Sequence, residues 1–472
     1  MDDRLQCEVL VVGAGYAGLA AARELRRRGV EVLVAEARDR VGGRVWTETT
    51  PSGALVDHGG QWVGPGQDHL QALADELSVG TFPTYTTGEG VELRQGRRST
   101  YGGLIPTSDP AAAAEGVEAI FDLDLAAQDV PLEAPWTAPG AEALDGQTLG
   151  TWLGDRLKSP GARSTIDAAV KGVFGAEPGE MSLLFALFYL HAGGGLMNLA
   201  RTTGGAQERR FVGGAQQMAR AMAAELGERV LLSSPVRDFA YGDDAVVATV
   251  EDMGGTGSGR GSGDGEGAGG RRTVAARRAI VAMPPAVSAR IEWRPALPAA
   301  RSQLAMRAPM GAVVKVHAVY DEPFWRDEGL NGQLVADEGA LRITFDDSPP
   351  GAEHGVLMGF AAGNDSRALD RLPDGERRRV LLEDLARAFG PRAATPVELV
   401  EQRWCLEPYT GGGPVAVCSP GMLTGCGPAL RAPVGAVHWA GTETATRWCG
   451  YIDGALSSGR RAAAEVLAAL GR

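Results

Sequence analysis

Three glycines, Gly13, Gly15 and Gly18, are spaced as G-x-G-x-x-G, and an acidic residue follows at Glu36. The first glycine of such a turn permits a sharp bend. The second lets a pyrophosphate approach the backbone, and the third lets a helix pack against a strand. An acid about 20 residues further on can accept hydrogen bonds from adenosine ribose hydroxyls, and it disfavours a ribose 2′-phosphate. The spacing therefore predicts a dinucleotide site.

The elements around these glycines are those that such a site needs. An apolar, β-branched run over residues 7–12 predicts a buried parallel strand. Helical spacing over 16–28 predicts a helix whose N-terminus offers N–H groups and a positive dipole to phosphates. A second strand is predicted over 30–35, directly before Glu36.

Two further glycine-rich stretches follow. "EARDRVGGRVWT" places a Gly42-Gly43 doublet before Arg44, which suits a second approach to the pyrophosphate. The alternative is a glycine loop with a solvated arginine. "DHGGQWVGP" (57–65) again contains glycines, beside Trp62. A backbone without side chains there could closely approach a flat ring system.

The composition narrows the class of protein. The 472 residues are enough for roughly two or three domains. A net charge of -13 without a basic stripe disfavours nucleic acid. Five scattered cysteines without C-x-x-C spacing indicate neither a disulfide framework nor a metal site. With no basic segment before the first apolar run and no membrane-length apolar run, we expect a cytoplasmic protein that does not bind membranes. A homodimer is left open.

Eight separated motifs resemble those of the flavin-containing monoamine oxidase family and keep the family's order. The first two are shared by many FAD proteins, and the last is the most specific to amine oxidases. Segments 81–170 and 326–400 show little that is specific. The motifs are "GAGYAGLAAARELRRRG", "EARDRVGGR", "DHGGQWVGP", "GGAQERRFVGGAQQMARAMA" (204–223), "AIVAMPP" (279–285), "KVHAVYDEPFW" (315–325), "EPYTGGG" and "WAGTETATRWCGYIDGALSSGRRAAAEVL" (439–467).

The resemblance implies an α/β fold, in which a Rossmann-like FAD-binding domain of the GR2 type is interleaved with an α+β substrate-binding domain. The FAD-binding domain is expected over 1–80, 205–285 and 395–472, and the substrate-binding domain over 81–204 and 286–394. Alternating patterns in "VRDFAYGDDAVVATVED" and "RRTVAARRAIVAMPP" predict strands on either side of a flexible glycine-rich tip, 254–270. Residues 376–389 predict an amphipathic helix with Val380, Leu381 and Leu385 in the core.

The resemblance also implies a reaction. A small, largely apolar amine would be oxidised at its C–N bond to an imine, with hydride transfer to flavin N5 and reduction of O2 to H2O2. A helix beginning near Ile452 would stabilise negative charge on the reduced flavin. The cofactor-binding residues predicted from spacing and resemblance are Gly13, Gly15, Gly18, Glu36, Ala37, Arg38, Gly43, Arg44, Gly60, Gln61, Trp62, Val236, Trp404, Gly441, Glu443, Tyr451 and Ile452.

Catalytic roles are implied for Lys315 and Tyr451. Lys315 matches the family lysine that holds a water near flavin N5 and assists the reaction with oxygen, although a lysine in such a strand could instead face solvent. Tyr451 matches one wall of the family's aromatic cage, and the other wall is replaced by Pro414. The predicted substrate-binding residues are Gln207, Pro414, Trp448 and Tyr451.

Several of these residues have simpler interpretations. Gln207 could be a surface amide, and Trp448 and Trp404 could be core residues. Glu443, implied to reach the ribityl or phosphate region, could be an acid of a helix N-terminal turn. His191 is interpreted as a packed or capping histidine, with a cavity position as the alternative.

The flavin is predicted to be non-covalent. In covalent members of the family, a cysteine bonds the flavin 8α carbon, and the matching position here is Gly413. Cys405 and Cys418 are eight and five residues away from it, so neither is expected to bond the flavin.

Three other functions are left open. An L-amino-acid oxidase would need a cavity arginine, for which Arg94, Arg97 and Arg98 are candidates, although a solvated basic turn also explains them. A biosynthetic flavin oxidase or desaturase would act on a larger substrate. A non-catalytic protein like the GDP-dissociation inhibitors would lack flavin, and the retained Lys315, Tyr451 and "GTET" disfavour it.

Overall fold

A computed structural model describes residues 4–103, 105–106, 108–253 and 270–472. The chain forms two compact units. The first unit comprises Met1–Arg44, Gln216–Ala308 and Cys426–Arg472, and the second comprises Val45–Ala215 and Pro309–Gly425. The two units interleave along the chain. The chain passes from one unit to the other after residues 44, 215, 308 and 425, whereas the predicted domain boundaries follow residues 80, 204, 285 and 394. The assignment of one domain to FAD and the other to substrate stays a prediction.

The strands provide the framework of both units. In chain order they are β1 Arg4–Val12, β2 Val32–Ala35, β3 Thr47–Thr49, β4 Leu55–Asp57, β5 Trp62–Val63, β6 Thr81–Pro83, β7 Glu89–Arg94, β8 Arg97–Tyr101, β9 Arg209–Phe211, β10 Val230–Leu231, β11 Val236–Tyr241, β12 Val246–Asp252, β13 Gly270–Ala282, β14 Glu292–Arg294, β15 Val313–Tyr320, β16 Leu330–Ala336, β17 Ile343–Asp346, β18 Gly355–Ala362, β19 Glu398–Arg403 and β20 Val437–Ala440.

The α-helices are α1 Tyr16–Arg27, α2 Asp68–Glu76, α3 Pro110–Ala127, α4 Ala141–Asp145, α5 Leu149–Arg156, α6 Pro160–Phe174, α7 Leu183–Gly193, α8 Leu196–Ala200, α9 Gln216–Leu226, α10 Pro285–Ser288, α11 Ala299–Arg307, α12 Asn364–Asp370, α13 Asp374–Phe389, α14 Met422–Cys426 and α15 Ile452–Ala469. Short 3₁₀ helices cover Pro135–Thr137, Pro178–Glu180, Gly227–Arg229, Phe324–Arg326, Pro391–Ala394, Trp404–Leu406, Gly427–Leu430 and Thr442–Thr444.

The first unit is built on a sheet in the order β10-β2-β1-β13-β12-β11-β14, with β20 also paired to β13. Strand β1 pairs in parallel with β2 and β13. Strand β13 changes partner along its length: 270–276 pair antiparallel with β12, and 279–282 pair in parallel with β20. The parallel half therefore brings the carboxyl ends of β1, β2, β13 and β20 to one edge, where ligands of such sheets bind.

The predicted strand over 7–12 and the helix after it are confirmed by β1 and α1. The second strand begins at Val32, later than the predicted residue 30. The Val30 N–H donates to the Leu25 carbonyl at 3.1 Å, and Gly29 has a φ of +73°. Val30 therefore belongs to the end of α1, where a left-handed glycine and a back-directed N–H satisfy the last carbonyls of the helix.

The second unit is built on a sheet in the order β19-β15-β18-β17-β16-β7-β8, with helices from 110–200 and 364–389 in the same unit. Its core includes the predicted helix, observed as α13. Leu381 and Leu385 are fully buried there, and Val380 packs partly buried against the same cluster. Strand β19 pairs with β15, so residues 398–403 join this unit rather than the first.

The segment "VRDFAYGDDAVVATVED" forms the antiparallel pair β11 and β12, and "RRTVAARRAIVAMPP" supplies most of β13. Residue 270 begins β13, and the rest of the predicted glycine-rich tip lies outside the described residues. Within the described ranges, no helix combines the length and apolar character needed to cross a membrane. The cytoplasmic location and the homodimer stay predictions.

Candidate functional site

In the first unit, the glycine turn after β1 leaves no room for side chains at two positions. Gly13 has a φ of +101°, and a Cβ there would lie 2.8 Å from the Ala282 carbonyl oxygen. A Cβ on Gly18 would lie 1.9 Å from the Gly13 carbonyl oxygen. The turn is therefore closed by backbone on both sides, as the strand–turn–helix prediction requires.

Glu36 and the second glycine loop meet this turn. The buried Glu36 carboxylate accepts hydrogen bonds from the Ala14 N–H at 2.7 Å and the Arg38 N–H at 2.9 Å. The Gly42 N–H donates to the Ala14 carbonyl at 2.9 Å, and a Cβ on Gly43 would lie 3.3 Å from the Gly15 Cα. The backbone of residues 13–15 and 42–43 thus forms a surface with almost no side-chain atoms, which we call the glycine cradle. It fits the phosphates of a dinucleotide.

The segment before β11 runs beside the residues after β2. The Ser234 N–H donates to the Glu36 carbonyl, and the Ser233 N–H donates to the Arg38 carbonyl, both at 2.7 Å. Val236, at the start of β11, is two residues further along. The structure therefore brings the predicted residues Glu36, Ala37, Arg38 and Val236 into one neighbourhood.

Arg44 and Glu443, both predicted to bind cofactor, form a bidentate ion pair within the first unit. The Nη1–Oε1 distance is 2.5 Å and the Nη2–Oε2 distance is 3.0 Å. A Cβ on Gly441 would lie 3.5 Å from Glu443 Oε2, so the predicted Gly441 borders this pair. The interpretation of Arg44 as a solvated arginine is wrong, because a carboxylate holds both ends of its guanidinium.

Tyr451 precedes α15 and Ile452 begins it, as predicted. The Tyr451 carbonyl accepts a hydrogen bond from Thr442 Oγ1 at 2.9 Å, and its ring packs edge-on against Trp448 with centroids 5.2 Å apart. Burial holds the pKa of Tyr451 above its usual range, so the phenol stays protonated. Trp448 has a φ of +52°, a strained value for a tryptophan and a feature that occurs at functional sites.

In the second unit, Lys315 is buried in β15 with a side chain that points into the protein. It is 2% exposed, and its Nζ donates to the Asp57 carbonyl at 2.6 Å, the Gly59 carbonyl at 2.9 Å and Gln61 Oε1. Burial lowers the pKa of Lys315 to about 8. The solvent-facing alternative is therefore wrong.

Other predicted cofactor residues of the second unit lie near this lysine. Trp62 packs on Phe345 and Phe360, and its ring centroid is 5.8 Å from the Lys315 Nζ. Gly60 is exposed between Gly59, whose carbonyl Lys315 contacts, and Gln61.

Trp404 is buried, and its Nε1 donates to the His58 carbonyl at 2.9 Å. A Cβ on Gly413 would lie 3.9 Å from Trp404 Cγ, with Pro414 following. The structure thus places residues 60–62 and 404 in the second unit, whereas the predicted boundaries placed them with the glycine turn.

The sequence interpretation missed several buried charged or titratable residues near Lys315, among them Asp347, Arg210 and His317. Asp347 accepts from Gln61 Nε2 at 2.6 Å and from Arg210 Nη1 at 3.0 Å, and His317 Nε2 lies 3.7 Å from Asp347 Oδ2. The alternation of β15 could have placed His317 on the same face as Lys315. Asp347 lies in a segment without a recognisable motif, so only the tertiary structure shows its position.

An apolar cavity of about 110 Å³ lies in the second unit. Predicted residue Gln207 lines it, together with Phe345 and Phe360, and Gln207 Oε1 is buried with no hydrogen-bond partner in the described parts of the chain. No Asp, Glu, Lys, Arg or His is found among the described residues of its wall. Pro414 is not part of that wall, and Trp448 and Tyr451 belong to the first unit.

The remaining candidates have structural contacts. His191 Nδ1 is 2.8 Å from the Val130 carbonyl, which agrees with a packed histidine. Arg94 pairs with Glu92, and Arg98 donates to the Ala388 carbonyl. Arg97 is an exposed residue of β8. None of these arginines lines the cavity.

The described residues contain no group of side chains that could hold a metal ion. None of the five cysteines, all of which lie in the described ranges, forms a disulfide, and burial raises the pKa of the Cys405 thiol. Cys418 is buried, and its carbonyl accepts the Ser182 N–H. These thiols show no feature of an activated cysteine.

Comparison with known proteins matches residues 16–467 to the family model of flavin-containing amine oxidoreductases. The chain is 43% identical over 463 residues to AofH of Mycobacterium tuberculosis, which carries the name of a flavin-containing monoamine oxidase; the match covers 98% of this chain and 97% of that protein. It is 36% identical over 472 residues to flavin-containing amine oxidase B of Cavia porcellus, covering 99% of this chain and 87% of that one.

Solved structures agree. Putrescine oxidase bound to putrescine superposes with a TM-score of 0.91 at 34% identity, covering 98% of this chain and all of that one. Cyclohexylamine oxidase from Brevibacterium oxydans superposes with a TM-score of 0.90 at 34% identity, covering 99% of this chain and all of that one. The glycine cradle fits the FAD that such enzymes use, and this chain belongs to the family of flavin-containing amine oxidoreductases.

Proposed function

We propose that this amine oxidoreductase acts on small monoamines with an apolar body, and that it uses O2 as electron acceptor and releases H2O2. Family membership makes the chain an FAD-dependent enzyme, so the non-catalytic alternative is wrong. The cavity of the second unit supports the proposed substrate class, small monoamines.

The observation that carries the proposal is the uncharged wall of that cavity. A carboxylate or a second ammonium group would be buried against Phe345, Phe360 and their apolar neighbours without a counter-charge. Burying an unpaired charge costs several kcal/mol. An uncharged alkyl, cycloalkyl or aryl group gains free energy from the same burial. The cavity therefore favours monoamines over diamines and amino acids.

The chain's own residues divide the remaining tasks. The glycine cradle and the Arg44–Glu443 pair hold FAD, and the N–H groups that begin α15 face negative charge on it. Bound FAD supplies the two-electron acceptor and passes the electrons on to O2. Tyr451 and Trp448 are the substrate-binding residues of the first unit. In the second unit, the Gln207 amide oxygen on the cavity wall offers a hydrogen-bond acceptor. Lys315 supplies a buried positive charge that assists the reaction with oxygen.

The test is a peroxide-release screen with matched pairs of substrates. We expect cyclohexylamine, hexylamine and benzylamine to be turned over, and putrescine and L-leucine to be turned over at least about 100-fold less efficiently, as an unpaired buried charge requires. Turnover of putrescine or L-leucine at rates equal to hexylamine would refute the monoamine assignment.

A single cavity variant provides the control. Gln333 lines the cavity, and Gln333→Glu places one negative charge in its wall. We expect this variant to gain activity on putrescine and lose activity on hexylamine. Loss of activity on both amines, with FAD still bound, would show that this cavity does not select the substrate.

A further inference from the structure

Lys315 is surrounded by three other buried charged side chains. Asp57 faces Lys315 from β4, Arg210 from β9 and Asp347 from the residue after β17. Two imidazoles also face it, His317 from β15 and His58 from the residue after β4. All of these residues belong to the second unit.

The charges in this group balance. Burial lowers the pKa of His317 well below its usual value and lowers that of His58, so both imidazoles are neutral. Lys315 and Arg210 then supply two positive charges, and Asp57 and Asp347 supply two negative charges. Burial raises the pKa of Asp347, and the positive charges of Arg210 and Lys315 oppose that effect. A buried charge is stable only with such compensation.

Gln61 connects Lys315 to Asp347. Its Nε2 donates to Asp347 Oδ1 at 2.6 Å, so its Oε1 must face the other way, where it accepts from the Lys315 Nζ. Arg210 anchors Asp347 in turn, by Nη1 contacts to the backbone carbonyl at 2.5 Å and to Oδ1 at 3.0 Å. The carboxylate therefore determines which end of the Gln61 amide the lysine meets.

The use of lysine itself is unusual in this chain. Of its 46 Lys and Arg residues only three are lysines, at 158, 171 and 315. Lys158 is exposed, and Lys171 pairs with Asp167, Glu177 and Asp365. Lys315 is the most deeply buried of the three. An arginine cannot lose its proton, whereas a lysine is a compact charge that can titrate when buried.

We propose that Asp347 is a positioning residue for Lys315: acting through the oriented Gln61 amide and its own negative charge, it keeps the Lys315 amine protonated at neutral pH. Burial alone favours the neutral amine, and Asp347 and Asp57 oppose that effect. The consequence for the oxygen reaction rests on the role proposed for Lys315, whereas the protonation state of Lys315 does not.

The direct test is an NMR titration of the FAD-bound protein labelled with ¹³C at the lysine ε carbons. The three lysines give three signals. Lys158→Arg and Lys171→Arg each remove one signal, so the remaining signal is that of Lys315. In Asp347→Asn, the amide oxygen can still accept from Gln61 and Arg210 while the charge is lost. We expect the pKa of Lys315 to fall by about one unit or more, as loss of a close opposite charge requires.

Two further variants make the test discriminating. Arg210→Gln removes a positive charge and frees Asp347, so the pKa of Lys315 should rise; this variant keeps the proposal testable if Asp347→Asn fails to fold. Asp346→Asn is the matched control, since Asp346 is equally buried but binds Arg326 and Trp325 instead. It should leave the Lys315 signal unchanged.

An unchanged Lys315 pKa in both Asp347→Asn and Arg210→Gln, or an equal shift in Asp346→Asn, would overturn the proposal. The pH dependence of flavin reoxidation by O2 provides a second measurement, and its inflection should move with the NMR pKa. A shifted NMR pKa with an unmoved reoxidation profile would uphold Asp347 as the positioning residue and reject the oxygen role of Lys315.

Discussion

At the scale of single residues, Lys315 shows how its surroundings determine the chemistry of a side chain. All eight residues of β15 are buried, so the lysine cannot reach water along the strand. Its three N–H donors meet two carbonyls and one amide oxygen, and its pKa falls to about 8 because of burial. The side chain is charged below that pH and neutral above it.

Lys315→Met is predicted to leave FAD bound but to slow flavin reoxidation by O2 by about 100-fold, the typical effect of removing one electrostatic group. Rapid mixing of reduced enzyme with oxygen measures this rate. In the wild type the rate should also fall as pH rises through about 8, because the lysine loses its charge there. Lys158→Met, on the surface, is the control. Oxygen kinetics equal to wild type would reject the role.

Tyr451 provides the second prediction at this scale. Tyr451→Ala should reduce kcat/KM for amines about 10-fold or more, with FAD content unchanged, because it removes the ring that we propose orients the amine. Tyr451→Phe keeps the ring and should stay near wild type. Equal loss of turnover and of FAD in the alanine variant would indicate instead that Tyr451 packs the cofactor.

At the scale of elements, the strand–turn–helix unit at the start of the chain contains two kinds of glycine. Gly18 is required by the protein itself, because a Cβ there would meet the Gly13 carbonyl oxygen at 1.9 Å. Gly15 has an ordinary φ of -74°, and the nearest atom to a Cβ there is 3.9 Å away. The protein can accept a side chain at Gly15, so its glycine indicates a ligand.

Substituting each glycine separates these roles. Gly18→Ala is predicted to destabilise the fold by about 3 kcal/mol, the cost of overpacking. Gly15→Ala should change the thermal stability of the flavin-free protein little and should sharply lower FAD binding, since its methyl group occupies the cradle. Thermal unfolding and flavin absorbance at about 450 nm measure the two effects. Retained FAD in Gly15→Ala would contradict the cradle assignment.

At the scale of the whole molecule, non-covalent attachment of FAD is the remaining prediction from the family comparison. The resemblance predicts that Gly413 takes the position of the cysteine that bonds flavin in covalent members. Cys405 and Cys418 have contacts of their own within the second unit. Acid precipitation should therefore release the yellow colour into the supernatant. Colour that stays with the pellet would contradict this prediction, and Gly413→Cys tests whether the position can bond flavin.

The sequence by itself determined the dinucleotide turn, the two glycine loops and the family. It also determined the boundaries of α1 and α13 and the start of α15 within a few residues. Each of these depends on short-range patterns: glycine spacing, apolar periodicity and the order of motifs. Tyr451 and Ile452 could be placed at the start of a helix for the same reason.

Only the tertiary structure decided which distant residues meet. The Arg44–Glu443 pair joins residues nearly 400 positions apart, and Gln61 connects Asp347 to Lys315 by hydrogen bonds. The uncharged cavity wall is assembled from separate segments between 101 and 360, most of which carry no recognised motif. Charge compensation and cavity shape depend on packing between segments, and no local pattern encodes them.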